Sequence, residues 1–307
     1  MSARLRGIAR ETEAAVAAGA YRTPDGREIP LAAAVEAARE GTRMLGPGSV
    51  PVPVPVPVPE TAREALTGIV RHPVSEGARE ATSEAAPTEP RIEVTGESSL
   101  EAARRLADAP VAVLNFASAR NPGGGYLNGA QAQEEALCRG SALYTCLLRA
   151  PEFYDHHRAH RDAFYTDRVI HSPAVPVFRD DRGRFLSEPY TAGFLTAAAP
   201  NAGVVLRTAP ERASELPRAL AVRAERVLET AAAHGYRQLV LGAWGCGVFR
   251  NDPAQVAGAF RTLLGPGGRF ERTFAHVVFG VLDRTPGSTV REAFARAFPE
   301  PGRQNRG

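Results

Sequence analysis

Residues 115–135 read NFASARNPGGGYLNGAQAQEE, and the rest of the chain is organised around them. The residues just before, 111–114, are apolar and valine-rich, which predicts a short buried strand. From Glu135 onward, EALCRGSALY reads as the start of a helix. Between them lies a long loop at the end of a strand, where ligand sites of open α/β sheets are found. Gly123, Gly124 and Gly125 leave its backbone bare, free to take strained dihedrals and to approach a ligand closely. After a seven-residue spacer (126–132) come Gln133, Glu134 and Glu135, an amide and two carboxyls in a row. Bare N–H groups beside acid–base groups suit chemistry on a phosphorylated or sugar-bearing ligand. A plainer reading stands next to it: a glycine-rich turn followed by an ordinary helix start, where the dipole favours Glu.

A second stretch has the same construction. Residues 239–243 form an apolar strand that runs into GAWGCGVFRNDP over 242–253. Asp252 is a good N-cap, and Pro253 suits the first turn of a helix over 254–264. Strand, glycine loop and helix N-terminus together bind phosphate oxygens through backbone N–H groups and the helix dipole. The spacing is neither a Walker A nor a dinucleotide fingerprint, and no Gly-Lys-Ser/Thr occurs, which argues against a P-loop kinase or a Rossmann dehydrogenase. Phe249 has two readings, a surface for a sugar or base and a core anchor for the loop. Asn115, at the strand's end, reads as a hydrogen-bond anchor rather than a core residue. Two such loops can wrap one ligand from two sides.

A chain of 307 residues can bury a sizeable core, as one large domain or one domain with an extension. Net charge is only +3 with both signs interspersed, so no basic face announces nucleic acid, and every basic residue is Arg. Cys138, Cys146 and Cys246 cannot all pair and match no zinc spacing, so a reducing cytoplasmic setting is expected. No stretch is apolar enough to span a membrane, and the N-terminus lacks a signal peptide's apolar core.

Helices are expected over 2–20, ended by Gly19, and over 31–43, with a turn at 23–27 between them. The Val-Pro alternation over 50–59 reads as a stiff polyproline spacer rather than an SH3-type ligand. A helix over 60–71 and a polar loop over 72–90 follow. The pattern then becomes regular: strand 91–94, helix 98–107 with a Ser98–Glu101 capping box, strand 111–114 and a helix over 134–148. Strands at 168–172 and 176–178, a turn at 180–183 and an apolar run at 194–199 come next. A helix over 216–234 is stopped by Gly235, and strand 276–282 and helix 289–298 close the chain. His156, His157 and His160 fall in a polar stretch, 153–161, with no Glu in a zincin arrangement and no cysteine nearby. It reads as a solvated segment rather than a metal site. The domain division expected is an N-terminal helical extension with its spacer, 1–60, and a catalytic domain, 61–307.

Three glycines, a spacer and Gln-Glu-Glu resemble the signature of poly(ADP-ribose) glycohydrolases. Residues 242–253 resemble that family's diphosphate loop, and RGIARETE over 6–13 and GAYRTPDG over 19–26 are similar to its bacterial branch. The resemblance implies an α/β macrodomain: a mixed β-sheet sandwiched between helices, with ADP-ribose in a cleft across one end. It implies that Glu135 is the catalytic acid, protonating the leaving oxygen of a ribose–ribose O-glycosidic bond, with its pKa raised by burial or by like-charged Glu134. Glu134 would hold ribose hydroxyls and Gln133 would fix the loop. Gly123, Gly124 and Gly125 would lie on the distal ribose and phosphate, Gly245, Cys246 and Gly247 around the diphosphate, and Val248 and Phe249 on ribose. The transition state would be oxocarbenium-like; since sequence neighbours cannot easily flank a sugar, one acid that later activates water fits better than a two-sided pair.

No metal or organic cofactor is implied. The implied partners are poly(ADP-ribose) or ADP-ribose and ADP-ribosylated proteins, with no membrane and no sequence-specific nucleic acid, and the action is exo. Two rivals share the loops. One is a macrodomain that binds ADP-ribose without hydrolysing it, against which the Glu134–Glu135 pair speaks. The other is a hydrolase that removes single ADP-ribose units from protein or DNA. A purely structural role would leave the loops and the two glutamates unexplained.

Overall fold

The computed structural model describes residues 2–48 and 90–299. The Val-Pro run, the helix expected over 60–71 and nearly all of the 72–90 loop lie outside the described residues. Helix α1 (Ala3–Ala18) starts on Ser2, whose Oγ accepts from Leu5 N, and stops at Gly19 in the left-handed region (φ 68°). Strands β1 (Ala20–Arg22) and β2 (Glu28–Pro30) form a hairpin, and α2 (Ala32–Gly41) leads into β3 (Arg43–Leu45), a strand at the expected helix end. Next come β4 (Arg91–Thr95) and α3 (Ser99–Arg105), whose Ser98–Glu101 capping box satisfies two otherwise orphaned N–H groups. Strand β5 (Val111–Phe116) follows, and beyond its loop the helices α4 (Gln133–Gly140), α5 (Leu143–Leu147) and α6 (Pro151–Ala159). The long strands β6 (Val169–Arg179) and β7 (Phe185–Ala197) precede α7 (Ala202–Thr208) and α8 (Leu216–Ala233). Strand β8 (Gln238–Gly242), α9 (Pro253–Leu264), β9 (His276–Gly280) and α10 (Thr289–Ala297) complete the order.

Seven of these strands form one sheet in the order β3-β6-β7-β5-β8-β9-β4, antiparallel at β3-β6-β7 and parallel from β7 to β4. Successive side chains of β5 go to opposite faces. Val111 and Val113 join a core shared with α1 to α6, while Ala112 and Leu114 join one shared with α8, α9 and α10. Helices therefore cover both faces of a mixed sheet. The same alternation sends Asn115 to the α4 side. Residues 2–48 contribute β3 to the sheet and Tyr21, Ile29 and Val35 to the first core.

Three departures from the sequence reading have physical causes. The strands expected at 168–172 and 176–178 are one strand, β6, whose register shifts between Ser172 and Val175. Pro173 has no N–H for the ladder and Ala174 takes φ 45°, so the strand bulges instead of ending. The helix expected over 134–148 breaks at Ser141, whose extended backbone (φ −145°, ψ 176°) bridges to Val177 while its Oγ donates to Leu137 O. The polar stretch at 153–161 is helix α6, started by Pro151, and one of its histidines is not solvated. His157 is buried, 2.8 Å from Thr166 Oγ1, and burial pulls its pKa down to about 4. His156 and His160 stack on the outer side, and no group that could hold a metal ion occurs among the described residues.

Candidate active site

The first loop leaves β5 and returns to the sheet through the opening residues of α4, and each of those three residues fastens a different point of it. Gln133 Oε1 accepts from Phe116 N (2.9 Å), while its Nε2 donates to Leu114 O (2.8 Å) and Ser99 Oγ (3.0 Å), tying the helix to the strand end. Glu134 Oε2 accepts from Ser118 N (2.7 Å) and its Oε1 from Asn115 Nδ2 (3.3 Å). Glu135 Oε1 accepts from Gly125 N (2.9 Å) and its Oε2 from Ala132 N (2.9 Å). Glycine is required where the loop passes over the carboxyls. At Gly124 (φ 58°) a Cβ would lie 2.5 Å from Glu135 Oε1 and 3.1 Å from Glu134 Oε2. The far turn of the loop rests on α1, where Ser2 N donates to Gly129 O (3.0 Å).

The second loop leaves β8 and is held from beneath. Buried Trp244 donates Nε1–H to Ala197 O (2.9 Å), and Gly203 N donates to Phe249 O (2.9 Å). Buried Asn251 donates Nδ2 to Pro200 O (2.8 Å) and Gly245 O (3.1 Å), and its backbone N–H also reaches Gly245 O (3.0 Å). At Gly245 (φ 72°) a Cβ would meet Asn251 Nδ2 at 2.5 Å. The helix that follows starts as expected on Asp252, whose Oδ1 caps it by accepting from Ala254 N (2.7 Å). Cys246 is a free thiol whose pKa burial pushes up to about 12, so it stays protonated.

Both loops face one cleft of about 1600 Å³. Gly124, Gly125, Gln133, Glu134 and Glu135 line one side; Gly245, Cys246, Gly247, Val248 and Phe249 line the other. Val248 is 82% exposed, and Phe249 is half-buried with its ring 5.8 Å from Tyr165. Two of the candidate residues do not reach the cleft. Gly123 is buried, and a Cβ there would strike Tyr144 Cδ2 at 2.9 Å; Asn115 is fully buried and spends its amide N–H groups on Glu134 and Thr196 Oγ1 (3.1 Å). Its amide thus anchors Glu134 to the strand end. Sequence reasoning passed over Asn251 and the Ser118 N–H, whose only trace in the sequence is an amide beside an N-cap Asp and a small residue after a strand.

A family model for the microbial-type PARG catalytic domain matches residues 9–180, more than half of the chain. The chain belongs to that family. The match spans the first loop but not the second, which solved relatives of the PARG family cover. Poly(ADP-ribose) glycohydrolase from Thermomonospora curvata is 47% identical over 97% of this chain and all of that one, with a TM-score of 0.81. The same enzyme bound to the inhibitor ADP-HPD superimposes at a TM-score of 0.79, with the same identity and coverage. The Deinococcus radiodurans enzyme in complex with ADP-ribose is 45% identical, covering 86% of this chain and 97% of that one, at a TM-score of 0.71. A comparison with curated protein sequences finds no match.

In this PARG-family chain burial pushes the Glu134 carboxyl up to about 8, against the partial relief of the Ser118 N–H and Asn115 amide. Glu134 turns inward to the strand end, while Glu135 reaches across to the glycine turn. Asn115 Oδ1 is buried without a partner, so a flipped Asn115 amide would present that acceptor to a protonated Glu134.

Proposed function

We infer that this chain hydrolyses the ribose–ribose O-glycosidic bonds of poly(ADP-ribose) and releases ADP-ribose. The observation that carries the reading is one cleft in which a pair of carboxyls on α4 faces a bare-backbone turn suited to a diphosphate. Glu135 gives its proton to the leaving ribose oxygen as the anomeric C–O bond breaks, and positive charge spreads over the ring carbon and oxygen. The Glu135 carboxylate then takes a proton from the water that attacks the anomeric carbon, which restores the acid and leaves ADP-ribose with a free hydroxyl. Glu134 holds ribose hydroxyls beside the bond. The turn at 245–247 holds the diphosphate, and Val248 and Phe249 cover the ribose.

Action from the chain end fits the placement of α1, since Arg4 and Leu5 line the cleft and Ser2 is bonded to the turn that carries the first loop. ADP-ribosylated proteins would be the ultimate targets. Three unpaired cysteines accord with work in a reducing cytoplasm.

The test is E135Q, which keeps the shape of the side chain and removes its acid function. Release of ADP-ribose from poly(ADP-ribose) should fall by about 10²–10⁴-fold, while ADP-ribose still binds by calorimetry. Persistent turnover would refute the acid assignment. Wild-type protein that cleaves only single ADP-ribose units from proteins or DNA would replace the substrate.

A further inference from the structure

The cleft is larger than one ligand needs: small-molecule pockets run from about 300 to 1,000 Å³, and this one is about 1600 Å³. The surplus is an arm bounded by α4, the N-terminus of α3, the first turn of α1 and the tip of the β6–β7 hairpin at 180–184. It begins at Glu135, because Glu135 and Arg139 lie one helical turn apart on α4 and both line it. The hairpin tip is fastened in place. Ser98 Oγ donates to Asp181 Oδ2 (2.5 Å), Arg4 donates to Arg182 O (3.4 Å), and Gly183 packs on Ile8 of α1.

Charge in this arm is lopsided. Arg179 is matched by Glu11 (3.1 Å) and Arg184 by Asp180 (2.7 Å). Arg4, Arg104, Arg139 and Arg182 also line the arm, and none forms an ion pair among the described residues. Two acids that line the arm, Glu101 and Asp181, are both engaged by Ser98, and Glu135 faces Arg139 from the preceding turn of α4. Unmatched guanidiniums along a groove attract a polyanion, and their planar forks suit phosphate oxygens.

We propose that this arm holds the polymer on the leaving-group side of the scissile bond, with Arg4, Arg104 and Arg182 at the diphosphates of the units that remain. The proposal rests on the glycohydrolase reading. In that reaction the leaving oxygen belongs to the next nucleotide unit, so this unit must lie beside the group that protonates it, where the arm opens. Each unit brings a diphosphate, and the arm supplies guanidiniums with no carboxylate of their own.

The experiment measures equilibrium binding of ADP-ribose and of long poly(ADP-ribose) chains in the E135Q background, which does not consume the polymer, without further change and with R104E/R182E or R207E, the last an exposed arginine on α7 outside the cleft. The double variant should bind polymer about tenfold or more weakly and with a shallower salt dependence. ADP-ribose affinity should stay unchanged, and R207E should alter neither. R104Q/R182Q, which removes charge without reversing it, should show the same direction and covers the case in which charge reversal disturbs the fold. Unchanged polymer affinity in both double variants, or an equal loss in R207E, overturns the arm. Failure of the underlying reading looks different: wild type would then release no ADP-ribose from the polymer, whatever the binding results.

Discussion

The two glycine loops present bare backbone to the same cleft but are built in opposite ways. The first is held by the side chains proposed to do the chemistry, since Glu134 takes the Ser118 N–H and Glu135 takes those of Gly125 and Ala132. The second is held from below by Trp244, Asn251 and the Gly203 N–H, so its outer residues, Gly247 and Val248, stay exposed. In the first loop, fold and proposed activity share atoms. In the second they are separable, because what shapes the turn is not what faces the cleft.

The largest effect expected from that difference is a pH-dependent stability that belongs to the first loop alone. Burial holds Glu134 near pKa 8, whereas the unfolded chain returns it to 4.5. The folded protein thus keeps a proton that the unfolded chain has given up. Glu134 is harmless to folding below pH 4.5, becomes increasingly unfavourable as pH rises toward 8, and changes nothing further above it, a span on the order of a few kcal/mol. Denaturant unfolding between pH 5 and 8 should show wild type losing stability relative to E134Q as pH rises, because the buried histidines titrate alike in both proteins and cancel in the difference. Parallel slopes would remove Glu134 from the account.

Next in size is Gly124→Ala, which pushes a methyl group into both carboxyls at a left-handed φ. Turnover should drop on the order of a hundredfold, and the melting temperature should fall with it. Gly247→Ala, whose Cβ would meet nothing within 4 Å, should leave both unchanged. Similar losses in the two variants would break the contrast. A smaller effect is expected from Asn251→Ala, which unties the second loop. Loss of its two donor bonds, about 1–2 kcal/mol, should weaken ADP-ribose binding roughly tenfold while kcat changes much less. A collapse of kcat at constant affinity would make the second loop part of the chemistry.

Much of this was legible in the sequence because the signals are local. Gly19 and Gly235 both take left-handed φ at helix ends, Ser98 and Glu101 form their box, and Asp252 caps α9. Other features depend on distant partners and left no local trace. Ser141 breaks a helix because Val177 is there to pair with it, and the 173–174 interruption stays within one strand because β7 runs alongside both halves. His157 looked solvated among His156, Asp155 and Arg158, yet helical geometry turns it inward, next to Phe153 and Tyr165.

By itself the sequence determined the two strand–loop–helix units, the residues within them and the family resemblance, since these rest on spacing, capping and the permissiveness of glycine. Only the tertiary structure decided that residues 133–135 and 245–249, over a hundred positions apart, meet in one cleft. It also decided that Glu134 is buried to a raised pKa and that the Asn115 amide is spent on Glu134 and Thr196. The reason is that desolvation and cross-strand hydrogen bonds depend on what the sheet and its covering helices bring together, and a linear pattern does not carry that information.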